Sequence, residues 1–162
     1  MPAPEFLTHA ADGWAKYYGT HKLVANGVLF VHLSGLLLGG GAAVAADRET
    51  LKAAGEADPV RADHLAFLAS VHGIALAGLA MLFVSGLAIL LSDLDTFWDT
   101  KVFWIKMGLV VLLLANAFAM QRAEKLAATL PGRAWPRLRA TSIASLVLWF
   151  TIVLVSTILA SS

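Results

Sequence analysis

Cysteine is missing altogether from this 162-residue chain. Disulfides, thiolate metal centres and cysteine nucleophiles are therefore excluded. Charge is scarce as well. Asp, Glu, Lys and Arg make up 14% of the residues, against roughly a quarter in an ordinary soluble domain. The formal net charge is only +1, which leaves no electrostatic footprint for a nucleic acid. The apolar stretches contain no Gly-rich phosphate loop, no paired carboxylates and no nucleophile–base constellation, and no internal repeat stands out. The first twenty residues include Asp, Glu and His and lack an apolar core, so no cleavable signal peptide is expected.

What the chain has in quantity is apolar surface. Hydrophobic residues are 59% of it, and the mean hydropathy is +0.75. A bilayer core requires about 20 apolar residues in one helix. Four stretches reach that length, at about residues 23–46, 65–91, 102–120 and 140–160. In lipid the backbone must satisfy its own hydrogen bonds, so each stretch is expected to be a helix. Asp47-Arg48-Glu49 reads as the close of the first and Asp58-Pro59 as the opening of the second. Asp93, Asp95 and Asp99 fill the next link, and Pro131-Gly132 and Pro136 break the chain before the fourth. The fold class that follows is all-α, an integral membrane four-helix bundle over residues 23–162.

Residues 1–22 form a separate segment. Phe6, Leu7, Ala10, Trp14, Tyr17 and Tyr18 recur at helical spacing, with Glu5, His9, Asp12 and Lys16 on the other face. This predicts a short amphipathic helix at the membrane interface. The links after the first and third spans carry Arg48, Lys52, Arg61, Arg122, Lys125, Arg133, Arg137 and Arg139, whereas the opposite side has Lys16, Lys22 and Lys101. The basic links should be cytoplasmic. Both termini would then lie on the outer side, the periplasm if the membrane is a bacterial inner membrane.

Ionisable groups inside a span are costly and so become functional candidates. His32, His72 and Lys106 meet that description. Gly35, Gly39 and Ala43 follow His32 at i+3, i+7 and i+11, leaving a bare strip on one helix face. A porphyrin could lie on such a strip while His32 held its iron. The same spacing serves close helix packing, and a buried His also serves as a hydrogen-bonding group. His32 and His72 are the candidate metal ligands. By rise per residue they differ by roughly 13 Å in depth, which disfavours one haem clamped between them. Met81 and Met120 lie near their respective depths and are candidate partners, or core filler. Lys106 either snorkels outward or faces the bundle to meet a carboxylate.

Three places carry a resemblance. They are Val31-His32-Leu33-Ser34-Gly35 running to Gly39-Gly40-Gly41, then Arg48, then Phe103-Trp104-Ile105-Lys106. In these the chain resembles a loose group of small bacterial membrane proteins. The group includes HemJ-type protoporphyrinogen oxidases, the CopD copper-resistance membrane domain and uncharacterised four-helix families. The resemblance implies handling of haem b or porphyrin, with cofactor-binding roles for His32, Arg48 and Lys106 beside Gly35, Gly39 and His72. The chain departs from the HemJ type in having Gly-Gly-Gly-Ala-Ala after the first-helix His and no His in the third or fourth span.

The leading expectation is a membrane b-type haem protein that transfers electrons in or near a quinone-linked pathway. Alternatives are a porphyrin- or quinone-active oxidoreductase and a cofactor-free structural or copper-handling subunit. The expected partners are the lipid bilayer, a quinone or redox protein and, through the Gly35–Gly39 strip, a second copy of the chain.

Overall fold

The computed structural model describes residues 3–55, 58–127 and 131–161, and these are helical with no strand among them. Helix α1 covers Glu5–Thr20 and α2 covers Lys22–Gly35. A single π-helical turn, Leu36–Gly40, leads into α3, Gly41–Ala53. Then come α4, Asp58–Ser92, the short α5, Leu94–Asp99, α6, Lys101–Ala127, and α7, Pro131–Ser161. Four helices are long and apolar enough to cross a membrane: Lys22–Ala53, Asp63–Ser92, Lys101–Ala127 and Ala134–Ala160. The 27 residues of the shortest span extend about 40 Å at 1.5 Å each, more than the hydrocarbon thickness.

The helices continue beyond the expected ends. Asp47-Arg48-Glu49 does not terminate the first one, because α3 runs on to Ala53. Just beyond the triplet, Thr50 Oγ1 donates to Ala46 O of its own helix at 2.9 Å and lies 2.9 Å from His64 Nε2 of α4. Pro136 does not break the chain either. It lies inside α7, where it removes one intrahelical donor near the start of an otherwise well-packed helix. The 93–99 link contains a helix, α5.

Close backbone packing pairs α2 and the π turn with α4, and α6 with α7. The two pairs are drawn together where α3 meets α7. One core cluster gathers Ala53, Ala123, Ala127, Ala134, Trp135 and Leu138 at that end. Here it is called the basic end, for the arginines of its links. A second cluster, Leu113, Trp149 and Ile152, holds the middle, with Leu36, Leu79, Leu82 and Leu109 against it.

The tightest approach in the molecule is between glycines. A Cβ on Gly35 would stand 2.9 Å from Gly78 O, and a Cβ on Gly39 3.2 Å from Gly78 C. A Cβ on Gly78 would collide with the backbone of Gly39. Without side chains, α2, the π turn and α4 come into backbone contact, the small-residue mode of membrane helix association. The outer faces are apolar: Leu37, Leu76, Phe83, Val84, Phe150 and Leu154 are each more than 60% exposed. An aqueous surface would not tolerate so large an apolar area, whereas a lipid surface requires it. The architecture is compatible with an integral membrane protein.

Residues 5–20 form a helix two residues longer than the amphipathic pattern at 5–18 implied. It ends at His21, whose backbone leaves the helical region for one residue before α2 begins. The Trp14 indole donates to Ala88 O at 2.7 Å, which ties α1 to the far end of α4.

Candidate functional site

His32 lies on α2, one turn before the glycine contact, opposite Ser85 and Gly86 of α4. Its ring fits there because Gly86 has no side chain: a Cβ at that position would be 3.4 Å from His32 Cε1. His32 Nδ1 is 3.0 Å from Ser85 Oγ. The Ser85 hydroxyl itself donates to Met81 O, so its oxygen is left to accept. The network therefore assigns the proton to Nδ1 of His32 and the free lone pair to Nε2. Among the described residues, Nε2 makes no hydrogen bond. Ser85 is buried and His32 half-buried.

Lys106 comes to this level from α6, on the other helix pair. It is half-buried, which fits the expectation that it faces the bundle. His32 and Ser85 form a polar pair in the half of the bundle opposite the basic links, with Lys106 near the same level. Close backbone packing does not tie α2 to α6 or α7 as it ties α3 to α7.

The remaining candidates do not join it. Gly35 and Gly39 are covered by Gly78 and its neighbours, so the strip expected to lie bare is filled by protein. Arg48 is exposed and lies sixteen residues further along the same helix, about 24 Å away at 1.5 Å per residue. His72 is fourteen residues from Gly86 on α4, or about 21 Å below His32. That exceeds the depth difference expected from the sequence. His72 Nε2 pairs instead with Glu124 Oε2 of α6 at 3.5 Å. Met81 lies beside Gly35, its Cβ 3.0 Å from where a Gly35 side chain would begin. Asn116 Nδ2 donates to Thr141 O at 2.9 Å, linking α6 to α7.

A second polar locus, at the basic end, was not anticipated. Asp47 is 1% exposed, Thr50 and Ser142 are 0%, and His64 and Ser145 are also buried. The hydroxyls of Ser145 and Ser142 stand against the Asp47 carboxylate, with Glu124 close enough for its charge to matter. The signal in the sequence was the i, i+3 spacing of Asp47 with Thr50 and of Ser142 with Ser145, which puts each pair on one helix face.

Among the described residues, no group of three or more His, Asp or Glu side chains could hold a metal ion between them. A haem needs only one or two protein ligands, and His32 offers one. Fold and site together define a class: a helical chain with four helices long and apolar enough to span a membrane and a His–Ser pair joining the first two of them. No family model, curated protein or solved structure matches the chain.

Proposed function

We propose that this is an integral membrane b-type haem protein with His32 as an axial ligand and electron transfer as its activity. The observation that carries the reading is the Nδ1 bond of His32 to Ser85. Metal-binding histidines commonly have their second nitrogen held in this way, which fixes the ring and its tautomer and strengthens the ligating nitrogen. The unused Nε2 is the atom that would meet iron. Lys106 is suited to pair with a propionate, because a cation in this setting requires an anionic partner. The haem would supply the one-electron chemistry. The protein's share is to fix the ring, neutralise the acid groups and limit water.

The glycine strip lends the reading no support, since it is consumed in packing α2 and the π turn on α4. A second copy of the chain would have to seat elsewhere. A second axial ligand would come from outside the described set, from Met81, or from no residue, leaving the iron five-coordinate.

A second reading is a porphyrin- or quinone-active oxidoreductase, supported by a half-buried Lys106 near the level of His32. On this reading Lys106→Met removes turnover while bound haem is retained. On the first, it weakens haem retention.

As to setting, we infer a bacterial inner membrane with the basic links in the cytoplasm and both termini outside, following the excess of Lys and Arg on one side. Helix α1 would lie in the outer interface, with Phe6, 73% exposed, directed to lipid.

The test is the absorption spectrum of the purified full-length protein, with pyridine haemochrome analysis. A Soret band that His32→Ala abolishes is the expected result. A chain that contains neither iron nor porphyrin when expressed with haem supplied would overturn the proposal.

A further inference from the structure

The buried locus at the basic end is independent of the haem reading, being about 22 Å from His32 along the same helix. Asp47 is almost fully enclosed between α3 and α7. Its Oδ2 has no hydrogen-bond partner of good geometry, and neither has Ser142 Oγ, which is itself fully buried. An ionised carboxylate with one oxygen unmet in such a place is costly. Among the described residues of this end, Arg48, Arg122, Arg137 and Arg139 are exposed. The groups that face it are hydroxyls from α7, the Glu124 carboxylate from α6 and, through Thr50 on its own helix, the His64 ring from α4. Glu124, when ionised, carries the same sign as Asp47.

Glu124 is itself paired with His72 Nε2 at 3.5 Å.

We propose that Asp47 is a proton-binding site. On uptake, one proton from solvent joins the Asp47 carboxylate, which becomes a neutral acid. In that form Oδ2–H becomes a donor for the unmet Ser142 oxygen. The ligand is taken as the proton, since among the described residues no group of three or more His, Asp or Glu side chains could hold a metal ion.

Infrared difference spectroscopy of the full-length protein in detergent, titrated in pH with and without sodium, tests this. The expected result is a carbonyl band of a protonated carboxylic acid that is lost in Asp47→Asn and indifferent to sodium. Ser142→Ala should shift the band without removing it, a control in which the carboxyl is kept. Absence of the band at every pH where the protein stays folded overturns the proposal. So does its persistence in Asp47→Asn, or its loss on adding sodium. None of these outcomes bears on a Soret band, so this site and the haem reading stand or fall separately.

Discussion

A few side chains, and several missing ones, decide the geometry at the residue scale. Gly78 is the strictest position, because a Cβ there meets the backbone of Gly39. Gly78→Ala should separate α4 from the π turn and cost about 1–3 kcal/mol, the usual range for overpacking, read as a lower melting temperature in detergent. Gly108 is the control: a Cβ there meets nothing within 4 Å, so Gly108→Ala should leave stability unchanged or raise it by up to about 1 kcal/mol. Ser85→Ala removes the acceptor that fixes the His32 tautomer. If His32 ligates haem, this variant should keep the Soret band but lose haem faster to an apoprotein scavenger, by about 10- to 100-fold in affinity. Equal release rates from variant and parent would remove Ser85 from the site. His32 and Lys106 were legible in the sequence because charge in an apolar run stands out. Asp47 was not. Asp47-Arg48-Glu49 has the composition of a helix end, and only the packing of α3 on α7 separates the buried acid from its exposed neighbour Arg48. Ser142 and Ser145 are common residues in membrane helices, and their meaning comes from what faces them.

Each element is explained by how its surface is used. The spans were readable because a lipid solvent imposes length and apolarity, and those are properties of composition. Their ends were not. Pro136 is carried within α7, and α3 outlasts its charged triplet, since intrahelical hydrogen bonding and neighbouring partners outweigh local end signals. Helix α1 is the loosest piece, held chiefly through its contact with α4. The indole bond of Trp14 to Ala88 O is its clearest tether. Trp14→Phe keeps the ring and removes the donor, and should cost about 1 kcal/mol. The measurable effect is faster amide exchange over residues 5–20 with the spans unaffected. Unchanged exchange there would show that the ring's packing, not the hydrogen bond, holds α1.

For the whole molecule, the absence of cysteine makes topology straightforward to test. Asp95 and Arg122 lie at opposite ends of the bundle. Single cysteines at these positions should react with an impermeant thiol reagent from opposite sides of a sealed membrane, with Asp95→Cys labelled from outside in intact cells. Labelling of both from one side would contradict a bundle of four crossings. The two polar loci also divide the molecule by depth. The His32 locus is near the middle, towards the termini, and the Asp47 locus is at the basic end. A substitution in one should leave the spectroscopic signature of the other unaltered.

The π turn at Leu36–Gly40 makes this division possible. A π turn holds one residue more than an α turn, so the helix beyond it is rotated by about 100° relative to an unbroken one. The first span therefore acts as two blades set at different angles on one shaft. Its upper blade meets α4 with Gly35 and His32, and its lower blade meets α7 with Asp47 and α4 with Thr50. Deleting Leu38 should restore a continuous α-helix and swing the lower blade back by that angle, turning Asp47 away from Ser142 and Ser145. The His32–Ser85 contact, above the turn, would be left as it is.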